Sequence, residues 1–138
     1  MKKISKIIKK NTGGLLIIDY GYSDKIMKNT LQGIANHKFA NILGNIGNID
    51  ITHHLNFELF KKFVIQIGGL ENNLTSQKEF LLKMGIKQRA EIISQNQNFT
   101  KKADIYFRLQ RLIDDKQMGN LFKVMFIKNQ KNKFKLGF

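Results

Sequence analysis

Four consecutive aliphatic residues, Leu15-Leu16-Ile17-Ile18, stand between Gly13-Gly14 and the run Asp19-Tyr20-Gly21-Tyr22. The run is short, unalternating and rich in branched side chains, which predicts a strand covered on both faces within a parallel sheet. Such a strand cannot stand alone, because a parallel neighbour requires a crossover connection and two covered faces. Ligands of open α/β sheets sit beyond the carboxyl ends of the strands, so Asp19, Tyr20 and Tyr22 fall where chemistry is expected. Only Met1 to Lys10 precede this unit, and they place Ile4, Ile7 and Ile8 on one face of a basic helix that stops at Gly13-Gly14. The expectation is a chain that opens in the middle of a fold.

The remaining pattern is mostly helical. Ser23 to Asn48 is polar and dotted with glycine, with a helical turn around Met27 to Ile34 as its only local signal, and a connection of that length is usually functional or disordered. From Thr52 the apolar residues Leu55, Leu59, Phe63 and Ile67 recur every four positions, with Phe60 and Val64 on the same face and Gly68-Gly69 as a stop. Ser76 and Glu79 form a capping box ahead of Phe80, Leu81 and Leu82, and Gly85 closes that short helix. Helices are expected over Ile86 to Ser94 and Thr100 to Asp115, with the amide-rich Gln95 to Asn98 as the loop between them and Met118-Gly119 as a turn. Leu121 to Ile127 carries one charge, Lys123, and predicts a second strand inside a sheet, whereas the lysine-rich residues 128–138 are expected to be frayed or weakly paired. Two strands seldom suffice for independent stability, so the sheet is expected to be incomplete.

Composition narrows the partners. A chain of 138 residues with 42% apolar content is long enough for a core, and the lack of cysteine excludes disulfides and thiolate zinc sites. No apolar stretch approaches the ~20 residues that span a bilayer, and a cytoplasmic location is expected. The net charge of +14 raises nucleic acid as a partner, but all 24 basic residues except Arg89, Arg108 and Arg111 are lysine, which lacks the guanidinium fork that reads bases and phosphates. Lysine, asparagine and isoleucine share adenine- and thymine-rich codons, so genome bias accounts for the excess and nucleic acid is the minor reading.

Four blocks, in order, carry a family resemblance: Gly-Gly-Leu-Leu-Ile-Ile-Asp-Tyr-Gly-Tyr at 13–22, Asp-Ile-Thr-His-His-Leu-Asn-Phe at 50–57, Thr-Ser-Gln-Lys-Glu-Phe-Leu-Leu-Lys-Met-Gly-Ile at 75–86 and Met-Gly-Asn-Leu-Phe-Lys-Val-Met at 118–125. Together with Asn-Thr-Leu-Gln at 29–32 and His37-Lys38, they resemble the C-terminal half of the MidA-like methyltransferases, a family that includes the mitochondrial respiratory complex I assembly methyltransferase. The resemblance implies an α/β fold, the C-terminal portion of a class I, Rossmann-like methyltransferase. Residues 1–127 would be a partial domain beginning at the helix before the fifth strand, and 128–138 a basic tail. It also implies S-adenosylmethionine as cofactor of the intact enzyme and protein arginine methylation linked to complex I assembly. The glycine loop and ribose-binding acid of that fold are not among these residues, since Gly13-Gly14 precedes its strand and Gly44 and Gly47 lack a strand-loop-helix setting. The chain alone is therefore expected to bind no cofactor and to be inactive, its partners being an N-terminal half on a separate chain and a complex I subunit as substrate. Asn29 and Asn56 stand where the family is expected to have aspartate.

The candidate site residues follow. Asp19 is placed to orient a substrate guanidinium, whose paired donors a carboxylate accepts, or else to satisfy loop amides. His54 is the candidate proton acceptor or hydrogen-bond anchor near neutral pH. Tyr20 and Tyr22 line a substrate channel or cap the core, while Asp50 and Thr52 bind substrate or cap the following helix at about 1 kcal/mol. No metal is expected, because His37, His53 and His54 lack acids at ligand spacing. A non-enzymatic remnant and a small basic nucleic-acid-binding protein are the alternatives.

Overall fold

The computed structural model describes residues 2–138. Its first elements are α1 (Lys2–Lys10) and β1 (Gly14–Tyr22), followed by a connection that holds β2 (Gln32–Ala35), β3 (Lys38–Ala40) and β4 (Asp50–Thr52). Then come β5 (Leu55–Asn56), α2 (Phe57–Ile67), β6 (Leu70–Ser76), α3 (Gln77–Lys83), α4 (Ile86–Ser94), α5 (Phe99–Ile113), α6 (Met118–Leu121) and β7 (Phe122–Asn129). The strands form two sheets, one in the order β5-β1-β7-β6 and a small one in the order β3-β2-β4.

The main sheet corrects the reading of the aliphatic run. β1 pairs antiparallel with β7 from Gly14↔Lys128 to Tyr20↔Phe122, and parallel with β5 only at Gly21↔Leu55 and Tyr22↔Asn56. Leu15 and Ile17 pack on the core, but Leu16 and Ile18, on the other face, are 45% and 50% exposed. The strand is therefore covered on one face, and along most of its length the edge opposite β7 has no partner among the described residues. β7 fits its expectation: it lies between β1 and β6, with Val124, Met125, Phe126 and Ile127 all buried. α1 and α2 cover the face where Ile8, Phe57, Val64, Leu70, Met125 and Ile127 form the core.

Local signals mark the end of α2 and the start of α3, whereas Met118-Gly119, expected as a turn, opens the short helix α6. Gly68 and Gly69 both take positive φ at the end of α2, and Ser76 Oγ accepts the Glu79 amide hydrogen at 3.1 Å. The amide-rich loop does more than connect, because the Asn98 side chain caps α5 by accepting from the Lys101 amide.

Three expectations fail for identifiable reasons. The connection 23–48 is not a helical turn and loop but carries β2 and β3, and Gly33 lets them close up because a Cβ there would meet the Ala40 carbonyl and Ile49. The helix expected from Thr52 begins at Phe57, with Asn56 as its cap through the Leu59 amide, so Asp50 and Thr52 are strand residues and do not cap it. The tail is not frayed: buried Lys128 donates to the carbonyls of Asn132 and Phe134, while Phe134 and Phe138 pack on the Phe126 ring at 5.6 and 5.7 Å.

Candidate functional site

The carboxyl end of β1 is built from two short commitments of backbone. Gly21 brings β5 close, and the residues on either side of β5 then line a cleft of about 350 Å³ with Tyr22, Lys28, Thr30, His54, Asn56 and Phe60 among its walls. The connection that follows β1 is folded back over this cleft by side-chain ties. Tyr22 Oη accepts the Lys28 amide hydrogen at 3.0 Å, and the Lys28 ammonium pairs with Asp24 and lies 5.2 Å from the Tyr22 ring centroid. Thr30 Oγ1 accepts the His54 amide hydrogen at 3.0 Å, and Asn56 Nδ2 donates to the Met27 sulfur at 3.2 Å.

The predicted residues separate into three groups. Tyr22 and His54 line the cleft, and Tyr20 stands beside it with its ring edge-on to His54 at 5.5 Å and to Phe122 at 5.9 Å. Asp19 sits one residue earlier, and strand alternation aims it at the opposite face from Tyr20 and Tyr22. Its Oδ1 accepts the Tyr20 amide hydrogen at 2.8 Å, leaving Oδ2 without a partner among the described residues. Asp50 and Thr52 lie in β4 of the small sheet, where Thr52 Oγ1 accepts from Gln32 Nε2 at 3.1 Å. Nothing in the sequence places Lys28, Thr30 and Asn56 at the cleft, because the connection has no period, although Asn56 stands ahead of an apolar helical pattern as caps do.

Lys123, on β7, stands opposite Asp19 of β1 in register, and burial pushes its ammonium below the usual lysine range, with the Asp24 carboxylate opposing in part. A folded value below the unfolded one means that the unfolded chain binds more protons between the two, so this group destabilises the fold at neutral pH and stops doing so above the ordinary lysine value. Lys123→Met is therefore expected to raise the thermal midpoint at pH 7, with the gain shrinking as pH rises through the lysine range. A gain that is absent at pH 7, or constant with pH, would show that desolvation is not the controlling effect.

Among the described residues no group of three or more His, Cys, Asp or Glu is placed to hold a metal ion, and no helix is long and apolar enough to cross a membrane. Among the described residues no strand passes through a glycine-rich turn into a helix, the setting of a nucleotide loop. β1 runs into the connection and not into a helix, β5 passes to α2 through Asn56 without a glycine turn, and Gly44 and Gly47 lie in the turn-rich link between β3 and β4.

Comparison with known proteins finds relatives over most of the chain. The sequence model of a family described as "Putative S-adenosyl-L-methionine-dependent methyltransferase" matches residues 1–75. The chain is 26% identical over 133 residues to the mitochondrial protein arginine methyltransferase NDUFAF7 of Danio rerio, covering 94% of this chain and 30% of that protein. Its counterpart in Xenopus tropicalis is 29% identical over 129 residues, covering 89% and 28%. The chain thus spans about 30% of the length of the curated relatives it matches. A COG1565 superfamily protein of Burkholderia thailandensis solved with S-adenosyl-homocysteine bound is 27% identical with a TM-score of 0.72, covering 91% of this chain and 34% of that one. A second crystal structure from that superfamily and organism, 24% identical with a TM-score of 0.79 over 92% of this chain and 35% of that one, shares the fold.

Proposed function

Since the chain belongs to the S-adenosyl-L-methionine-dependent methyltransferases, in their MidA-like branch, we propose that it supplies the C-terminal portion of a protein arginine methyltransferase, the substrate side of a cleft whose cofactor side lies outside these residues. The resemblance to MidA-like enzymes extends this reading to a subunit of respiratory complex I as substrate. One observation carries the proposal. A formed cleft at the end of β1 adjoins a strand whose other edge is unpaired along most of its length and whose Leu16 and Ile18 are half-exposed, so a cleft and an open sheet meet on the same strand.

In this reading the bound cofactor supplies the methyl group, and this chain binds and orients the acceptor. Tyr20 and Tyr22 form an aromatic wall along which a planar guanidinium stacks, and His54 offers an imidazole held by the Thr30 contact to its backbone. Asp19, on the opposite face, keeps Oδ2 free to accept from a second basic side chain of the substrate segment.

Titration of the chain alone with S-adenosylmethionine is expected to show no saturable heat. Co-expression with a chain that bears the glycine-rich cofactor loop is expected to give a soluble complex, because filling the open edge of β1 buries Leu16 and Ile18 and satisfies its free backbone groups. In that complex His54→Ala and Asp19→Asn should each lower methyl transfer to a peptide arginine by about a hundredfold through misplacement of the acceptor, with assembly intact. Failure of the two chains to co-purify while each is soluble would leave a non-enzymatic remnant. Unchanged transfer in both variants would remove these residues from the site.

A further inference from the structure

The small sheet β3-β2-β4 has two free edges, and they differ in charge. The β3 edge carries Lys38 beside Phe39, and a lysine on an edge strand repels a basic newcomer. The β4 edge carries Asp50 and Ile51, both exposed, and Asp50 has no ion-pair or hydrogen-bond partner among the described residues. β4 also points at the cleft: two residues beyond Thr52 the chain reaches His54, about 13 Å from Asp50 at the rise of extended backbone.

We propose that the free edge of β4 takes an extended basic segment of the protein substrate as a fourth strand of the small sheet and leads it to the cleft at Tyr22 and His54. Main-chain hydrogen bonds along the edge hold the segment, Asp50 pairs with a guanidinium about four residues from the one delivered to the cleft, and Ile51 covers an aliphatic stem. That the segment is a substrate rests on the methyltransferase reading above; its docking does not.

Local charge makes this edge the suitable one on a strongly basic chain. Residues 23–56 hold Lys25, Lys28 and Lys38 against Asp24 and Asp50, so most of the +14 lies elsewhere. The open edge of β1 is apolar and follows α1, with its five lysines, and Glu71 on the outer strand β6 already lies 3.6 Å from the Lys128 ammonium. A second copy of this chain is a poorer occupant, because antiparallel pairing of two β4 edges about Ile51 would set Asp50 opposite Thr52 of the copy and give its carboxylate no counter-charge.

The test uses the whole chain with a fluorescein-labelled peptide of alternating arginine and valine, and one of alternating glutamate and valine, read by fluorescence anisotropy. Saturable binding of the arginine peptide is expected, weakened about tenfold or more by Asp50→Lys and by Ile51→Lys and unchanged by Lys38→Gln. Hydrogen exchange of the complex should show protection gained at residues 50–52. Absence of saturable binding, a preference for the glutamate peptide, equal affinity in the Asp50 and Ile51 variants, or protection falling on β1 or β6 would each overturn the proposal. These measurements contain no cofactor, so a co-expressed pair that binds the peptide and transfers no methyl group would refute the enzyme and not the docking edge.

Discussion

Phe57→Ala is expected to remove about 3–5 kcal/mol of stability, the range for emptying a fully buried aromatic site. Phe57 is 0% exposed, opens α2, and sits in the core with Val64, Met125 and Ile127. Against a total stability of roughly 5–15 kcal/mol for a domain, that loss brings a chain with an unpaired sheet edge close to unfolding. Urea denaturation would show it as a large fall in midpoint. Phe39→Ala and Phe99→Ala supply the contrast, because these rings are 81% and 86% exposed and their removal should change stability by less than about 0.5 kcal/mol. A loss at Phe57 no larger than at Phe39 would mean that the core is not organised around α2 and β7.

Gly21→Ala is the second large effect, and it acts at the site itself. A Cβ at Gly21 would overlap the Leu55 carbonyl oxygen and stand 2.9 Å from the Phe57 ring, so backbone must move to admit it. Overpacking of this kind costs about 1–3 kcal/mol, and here the element displaced is β5. Separating β5 from β1 spreads the Tyr22↔Asn56 pair that closes one end of the cleft. The His54 ring protons, which feel the Tyr20 ring current, are expected to shift by NMR together with the loss of stability. Gly13→Ala is the matched control, since its Cβ would meet nothing closer than 4.0 Å. Wild-type stability and unmoved His54 signals in the Gly21→Ala variant would show that the β1–β5 contact is not what shapes the cleft.

The site was legible in part. Asp19, Tyr20 and Tyr22 could be placed at the end of β1 because an aliphatic run that stops at an acid and aromatics marks its own terminus. That Tyr20 meets His54 while Asp19 turns to the other face depends on the register of β1 against β5 and β7, which no local pattern encodes. Lys28 and Thr30 were hidden for a related reason. They act through a long connection folded back on the sheet, and its strands, three or four residues each, are too short to show a period.

What the sequence determined by itself is what short-range physics specifies. Glycines at Gly68 and Gly69 end α2, Ser76 starts α3, periodic apolar positions make α4 and α5, and an almost uncharged run makes β7 a central strand. Tertiary structure alone decided which strands lie beside one another and in which direction. The run Leu15 to Ile18 demands burial equally well beside a parallel or an antiparallel neighbour, and β6, with Glu71, Asn72 and Asn73, becomes a strand only because β7 offers it backbone partners. Hydrogen bonding between distant segments carries no trace in either segment's own composition, so the order β5-β1-β7-β6, and with it the cleft, existed only once the chain had folded.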